Sequence, residues 1–295
     1  MKSGFVGLIG RPNVGKSTLL NSIIGKKVTI TSNKPGTTRN LIQGIYNKDE
    51  LQMVFVDTPG IHKSQNKLGK VLNKQAFFSI DDVDVILFLV DVSEKLGNGD
   101  KFIIDLLKEV NKPVILVLNK IDKIKKDKIL LKIDEYKNLY NFSEIIPLSA
   151  YKKDNVDRLL SVLENYLPDS IQYFDNDTIT SSSDSFVISE LIREKVLELT
   201  EEEVPHSVTV ITEKIEYVKK RIDINALIVV DRENLKGIII GKNGNMIKEI
   251  GTRARLDIEE YLGKKVYLEL FVKVIPKWRE RDKIIKEMGF NDFSE

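Results

Sequence analysis

Gly10-Arg11-Pro12-Asn13-Val14-Gly15-Lys16-Ser17 is the stretch that decides the fold of this chain. Its spacing is G-x-x-x-x-G-K-[ST], a turn whose backbone amides cradle phosphate. Gly10 and Gly15 keep side chains out of the way where the backbone turns sharply toward an anion. Lys16 brings positive charge to the β- and γ-phosphates of a nucleotide, and Ser17 brings a hydroxyl to Mg²⁺. The flanks agree. Residues 5–9 (Phe-Val-Gly-Leu-Ile) read as a strand covered on both faces, and 17–24 as a helix whose N-terminus favours negative charge. Gly10, Arg11, Pro12, Asn13, Val14, Gly15, Lys16, Ser17 and Thr18 are therefore the first nucleotide-binding candidates.

Outward from this loop the pattern alternates. Strands are predicted at 41–46, 52–56, 85–90, 114–119 and 145–148, and helices at 68–79, 100–110, 128–138 and 155–166. That makes residues 1–168 a doubly wound α/β domain, with ligand loops at the carboxyl ends of its strands. The remaining motifs fall in those loops. Asp57-Thr58-Pro59-Gly60 follows the strand ending at Val56, where an aspartate reaches Mg²⁺ and a glycine N–H can approach a γ-phosphate. Lys34-Pro35-Gly36-Thr37-Thr38-Arg39 has no apolar period and reads as a loop. Thr38, with Thr37 beside it, can add a hydroxyl to Mg²⁺ in the triphosphate state. Asn119-Lys120-Ile121-Asp122 selects the base: the Asp122 carboxylate accepts the ring N–H and exocyclic amine of guanine, a donor pair adenine lacks. Ser149-Ala150, after the last strand, offers a backbone N–H to the guanine O6. The candidate catalytic residues are Lys16, Thr38, Asp57 and Gly60, and the candidate metal ligands are Ser17, Thr38 and Asp57.

Pro168 ends the last helix, and the polar run 169–185 reads as a linker. Beyond it come an amphipathic helix at 186–203, N-capped by Asp184 or Ser185, and strands at 207–218 and 222–231. A short apolar run, a helix at 245–261 and a strand at 266–274 follow. This is a smaller α+β domain at 186–278 with a tail at 279–295, and 278–288, across their boundary, reads as one helix. Inside it, Gly241-Lys242-Asn243-Gly244 stands between two helical segments, the form of the KH-domain loop that clamps a single-stranded nucleic-acid backbone. Basic residues outnumber acidic ones from 236 to 279, and Lys248 and Arg253 join Gly241, Lys242, Asn243 and Gly244 as candidate RNA contacts. The acidic run Glu201-Glu202-Glu203 lies outside that surface.

The five nucleotide elements in this order resemble the GTPases of the translation-factor class. The whole chain resembles a narrower family: TrmE-Era-EngA-type GTPase domains followed by a type 2 KH domain, the bacterial GTPases of small-ribosomal-subunit assembly. The similarity runs through residues 10–21, Thr37-Thr38-Arg39, 189–195, 205–210, 240–244 and 268–274. It implies a P-loop GTPase using GTP/GDP and Mg²⁺. It implies an RNA partner, 16S rRNA near its 3′ end on the 30S subunit, a monomeric state, and a role in 16S rRNA maturation. Asn13 stands where related GTPases engage a monovalent cation, which implies K⁺ stimulation. Two positions depart. Ile61 replaces the glutamine by which Ras-like enzymes orient the attacking water, so slow intrinsic hydrolysis is expected. Gly36 replaces a glutamine usual in the family. A switch is expected in which GTP orders 33–40 and 57–70 and changes how the domains pack. Two other readings stand beside the enzyme: an RNA-binding scaffold in which GTP is structural, and a membrane-associated regulator.

Composition bounds these readings. The 295 residues favour two domains. Zero cysteines exclude disulfides and Cys-ligated zinc, and two histidines, His62 and His206, are few for a metal site; each reads as a loop or turn residue. The net charge of +2 cancels 46 basic against 44 acidic residues. No apolar run reaches the length of a membrane span, and the early first strand leaves no room for a signal peptide, so a cytoplasmic location is expected, with peripheral membrane attachment as its variant.

Overall fold

The computed structural model describes residues 1–34, 36–61 and 66–290. His62 and Pro35 lie outside them, as do parts of the two expected switch segments and of the tail.

The first layer is built from β1 (Lys2–Gly10), α1 (Lys16–Ile24), β2 (Ile42–Lys48), β3 (Leu51–Asp57), α2 (Lys67–Asp81) and β4 (Val85–Asp91). It continues with α3 (Asn98–Leu107), β5 (Val114–Asn119), α4 (Lys126–Lys137), β6 (Glu144–Pro147) and α5 (Val156–Glu164). The sheet order is β2-β3-β1-β4-β5-β6, parallel except for β2, which pairs antiparallel with β3. The apolar runs are explained by burial on both faces. In β4, Val85, Leu87 and Leu89 pack with α1 and α5, while Ile86, Phe88 and Val90 pack with α2, α3 and α4. All six are fully buried, each side chain contributing about 1.5–3 kcal/mol.

The polar run after α5 is not a free tether. Ile45 N donates to Ile179 O at 2.9 Å, Thr180 Oγ1 to Gln43 O at 2.8 Å, and Ser3 Oγ to Ile171 O at 2.6 Å. Gln52, fully buried in β3, donates to Phe174 O and accepts from the backbone N–H groups of Tyr173 and Phe174. The segment crosses the starts of β1 and β3 and then runs along the β2 edge, where it satisfies strand groups that would otherwise face water.

The second layer comprises α6 (Asp184–Leu199), α7 (Val204–Ser207), β7 (Thr209–Val218), β8 (Arg221–Val230), α8 (Glu233–Ile240), α9 (Asn245–Leu262) and β9 (Val266–Val274). Its sheet is β7-β8-β9, with β7/β8 antiparallel and β8/β9 parallel. The N-cap of α6 is Ser183, whose hydroxyl accepts from Phe186 N, rather than Asp184 or Ser185. That helix is also not amphipathic in context. Residues 187–197 are buried without a break, because its polar side meets the first layer. His206 lies in α7 rather than in a turn.

The expected helix 278–288 is two pieces, a tight turn at Trp278–Glu280 and α10 (Asp282–Glu287). Its path is set by Trp278, fully buried, whose Nε1 donates to Ser207 O at 2.8 Å. Trp278, Ile285 and Phe290 share a core with Val229 of β8 and with Leu68 and Leu72 of α2. Among the described residues no helix is long and apolar enough to cross a membrane.

Candidate functional site

The glycine loop joins β1 to α1 in a conformation only its own residues allow. Gly15 has φ +102°, and a Cβ there would collide with Asn119 Nδ2. Asn119 is the brace of the region. Its Nδ2 donates to Val14 O at 2.8 Å, and its Oδ1 accepts from Lys120 N at 2.8 Å and Ala150 N at 3.0 Å. One amide thus ties the phosphate end of the cleft to the Ser149-Ala150 end. Asn13, at φ +64°, turns its Nδ2 onto Asn33 O at 2.7 Å. Lys16 Nζ donates to Gly10 O and Arg11 O, both at 3.1 Å, so its charge is held over the loop. Burial pushes the Lys16 ammonium down to about 8, against the pull of Asp57. The Arg11 side chain points elsewhere, to Asp100 at 3.1 Å and Glu94 at 3.2 Å; only its backbone belongs to the loop.

Three oxygens converge beside Lys16. Ser17 Oγ donates to Asp57 Oδ2 at 2.6 Å and lies 2.9 Å from Thr38 Oγ1. The structure separates the adjacent threonines: Thr37 Oγ1 donates to Lys34 O at 2.6 Å, away from this cluster. Asp57 is fully buried, and its Oδ1 finds no hydrogen-bond partner among the described residues. Burial raises the Asp57 carboxyl, although Lys16, Ser17, Thr29 and Thr38 draw it down. A buried carboxylate oxygen without a donor, beside two hydroxyls, is an all-oxygen set suited to a hard cation such as Mg²⁺. Gly60 closes over the loop; a Cβ there would sit 2.7 Å from Pro12 Cα. Thr58 is structural, its Oγ1 donating to Leu8 O at 2.7 Å. Ile61 is core: it is 1% exposed and packs with Ile9 and Val56, so it places no water.

The cleft is about 710 Å³ and runs from Pro12, Lys16 and Thr38 to Asp122, Ala150 and Tyr151. At its far end Asp122 Oδ1 accepts from Ser149 Oγ, which orients the carboxylate. Lys120, in a left-handed conformation, donates to Asn13 O at 2.6 Å and pairs with Asp91 at 2.6 Å.

Sequence reasoning missed the residues that join the layers. Arg39 is buried with its guanidinium in α7: Nη1 donates to Val208 O at 2.6 Å and Nη2 to Pro205 O at 2.9 Å. Burial and the charges of Arg193 and Arg279 pull it down to about 9, against Glu190. From the other side Arg193 donates to Thr37 O and pairs with Glu190, and Glu194 accepts from Thr31 N at 3.0 Å and pairs with Lys27. Asp257 of α9 pairs with Lys27 at 3.0 Å and Lys195 at 2.9 Å. Leu197 and Glu198 of α6 stand in the wall of the cleft itself. The available signal was the cluster Glu190, Arg193, Glu194 and Lys195 set among the apolar residues of the helix.

The second candidate loop links α8 to α9. Gly241 has φ +71°, and a Cβ would meet Met246 Cβ at 2.6 Å, so the loop folds back tightly on α9; Gly244, at φ +76°, faces open space. Lys242, Asn243 and Lys248 are exposed, whereas Arg253 is tied to Glu249 at 2.7 Å. The inner side chains of β8 (Ile224, Ala226, Ile228) are fully buried, but Leu268, Leu270 and Val272 of the edge strand β9 are only half-buried. That leaves an apolar strip beside the loop, the kind of floor on which bases of a single strand lie.

Comparison with known proteins agrees with both halves. A family model described as a 50S ribosome-binding GTPase matches residues 5–120, and a KH-domain model matches residues 203–279. A solved structure of Aquifex aeolicus Era, a variant bound to GDP·AlF₄⁻, is 44% identical, with a TM-score of 0.96 and coverage of 98% of this chain and 99% of that one. A structure of Era in complex with MgGDPNP and nucleotides 1506–1542 of 16S ribosomal RNA has the same identity and coverage, with a TM-score of 0.95. Similarity at this level over both layers, together with the two loops just described, means that the chain belongs to the Era family of GTPases.

Proposed function

We propose that this protein binds and hydrolyses GTP and holds single-stranded RNA of the 16S 3′ end on its KH domain, acting in 16S rRNA maturation and 30S subunit biogenesis as a cytoplasmic monomer. The observation that carries the reading is the convergence of Lys16, Ser17, Thr38 and Asp57 at one end of a cleft whose other end is Asp122, with the switch threonine's neighbours Thr37 and Arg39 bonded directly into the KH half. Functionally the chain divides into a GTPase domain at 1–168, a connecting segment at 169–185, a KH domain at 186–278 and a tail at 279–295.

Each group has a part. Backbone amides of 13–18 hold the phosphates, and Lys16, desolvated and aimed by two carbonyls, stabilises charge on the transferring phosphoryl group. Ser17, Thr38 and Asp57 would hold Mg²⁺, which neutralises phosphate charge when bound. Gly60 offers its N–H to the γ-phosphate. Asp122 accepts the guanine donors, with Lys120 flanking the base and Ala150 N already fixed by Asn119. Because Ile61 is core, its side chain does not position water and backbone groups would do so, while Asn13 would be the residue that holds a monovalent cation such as K⁺, whose charge would offset that of the phosphates.

The test is to titrate a 16S 3′-end RNA against the protein loaded with GDP or a non-hydrolysable GTP analogue, measuring RNA affinity and GTP turnover together. State-dependent RNA affinity with multiple turnover is expected. A tightly held nucleotide that never exchanges, with RNA affinity blind to it, would replace the enzyme by a scaffold with structural GTP.

A further inference from the structure

The nucleotide cleft is not walled by the first layer alone. Residues 30–34 line it together with Leu197 and Glu198 of α6. Asn33 O, bonded to Asn13 Nδ2 at 2.7 Å, sets that stretch against the middle of the glycine loop. It therefore flanks the span that a nucleotide's sugar must cross between the phosphate end and the guanine end. The last turn of α6 is fixed against the same stretch. Glu194 accepts from Thr31 N at 3.0 Å, and Leu197 and Ile30, 2% and 1% exposed, share one core. Glu198 follows directly, so its backbone is held at the cleft by the packing of its neighbour.

A carboxylate here runs against two local rules. It lies in the last turn of a helix, where the negative end of the macrodipole disfavours it. It also borders a cleft that must take phosphates. Such violations mark positions kept for a ligand rather than for the fold. Lys195 is the only partner of Glu198 among the described residues, at 3.2 and 3.3 Å from its two oxygens, and that ammonium is shared with Asp257 at 2.9 Å and Glu194 at 3.3 Å. Each Glu198 oxygen thus keeps acceptor capacity, and the side chain, 38% exposed, is within a ligand's reach. A carboxylate suits a nucleotide site only where the ligand offers donors. A guanine nucleotide offers two sets: the base edge, which Asp122 takes, and the ribose hydroxyls. An acidic side chain on ribose hydroxyls is the chemistry by which dinucleotide-binding folds recognise their sugar.

We propose that Glu198 reads the sugar of the bound nucleotide. Its carboxylate accepts the 2′- and 3′-hydroxyls of GTP and GDP, so the KH half supplies a specificity-determining residue of the nucleotide site and selects ribonucleotides over deoxynucleotides. The nucleotide then touches both layers directly, apart from the route through Thr38 and Arg39. The proposal rests on the reading of the cleft as a guanine-nucleotide site, and the test keeps the two apart.

The measurement is isothermal titration calorimetry of the full chain in Mg²⁺ with GDP and with 2′,3′-dideoxyGDP. The unaltered protein should bind dideoxyGDP about tenfold more weakly than GDP. Glu198→Ala should weaken GDP about tenfold and leave dideoxyGDP within about twofold, which erases the preference; Glu198→Gln, which keeps one acceptor oxygen, should retain a preference of about threefold. A urea midpoint near that of the unaltered protein shows that each variant folds. Three results overturn the proposal: no ribose preference in the unaltered protein, a full preference surviving in Glu198→Ala, or equal weakening of both ligands by that variant, which would leave Glu198 only its packing role through Lys195. Asp122→Asn should weaken both ligands alike, by about 100-fold, and keep their ratio. If it weakens neither, the guanine reading fails while the ribose result stands on its own; if it weakens both and Glu198→Ala changes nothing, the proposal fails alone.

Discussion

The two glycine loops of this molecule solve the same problem, bringing backbone to phosphate, under opposite conditions. The loop at 10–17 is enclosed. Its lysine is buried and aimed by two carbonyls, its peptide groups are braced by Asn119, and its glycines sit against neighbouring atoms. The loop at 241–244 is open. Its lysine and asparagine face water, and Gly244 has nothing within reach of a Cβ. Enclosure makes a few donors worth much, because water and salt do not compete there. Exposure leaves a contact that is weak per group, dependent on salt and tolerant of the strand that fills it. Preorganisation therefore belongs to the nucleotide and adaptability to the RNA.

That contrast predicts unequal responses to equal changes. Lys16→Ala should lower single-turnover GTP hydrolysis about 10³-fold, while Lys242→Ala should weaken RNA only about threefold and reduce the salt slope by about 0.7; comparable losses would erase the distinction. Arg39→Ala tests how the two regions are joined. It leaves the carbonyls of Pro205 and Val208 buried without a donor, at about 3 kcal/mol in all, read as a lower urea midpoint. Gly15→Ala combines left-handed strain with a collision at Asn119 and should cost about 100-fold in GDP affinity, whereas Gly244→Ala carries strain alone, about 1 kcal/mol in loop stability.

The smallest effect is one of pH. Burial by itself would raise the Asp257 carboxyl, but hydrogen bonds and charge from Lys195 and Lys27 outweigh it and hold it below the usual range. A carboxylate with a lowered folded pKa stabilises above its unfolded value and loses that contribution as pH falls through the folded one. Acid below about pH 4 should thus loosen the Lys27–Asp257 contact by under about 1 kcal/mol, and Asp257→Asn should flatten that limb of a pH–stability curve.

The enclosed loop was legible in the sequence because each of its requirements is local: a glycine where φ is positive, a lysine next to it, a strand before and a helix after. The same holds for Asp57 and Asp122, each at the end of an apolar strand. Arg39 was not legible as a joint, since its partners Pro205 and Val208 lie more than 160 residues away and are backbone carbonyls that carry no sequence signature. The two-sided burial of α6 was hidden because half of it is covered by paired charges, which read as a solvated face. The break at Trp278–Glu280 arises from one buried tryptophan seeking Ser207 O, a tertiary contact that overrides the helical period.

The segment along the β2 edge has a mechanical consequence. It stays attached to the first sheet as far as Ser181, whose Oγ donates to Gln43 Oε1 at 2.8 Å, and α6 begins at Asp184. Only the dipeptide Ser182-Ser183 lies between that attachment and α6, so the connection is a pivot and not a leash. The KH half can swing about that point but cannot drift from it. Even with the contacts of Arg39, Arg193, Glu194, Asp257 and Trp278 all undone, the KH half would therefore stay hinged within two residues of the β2 edge.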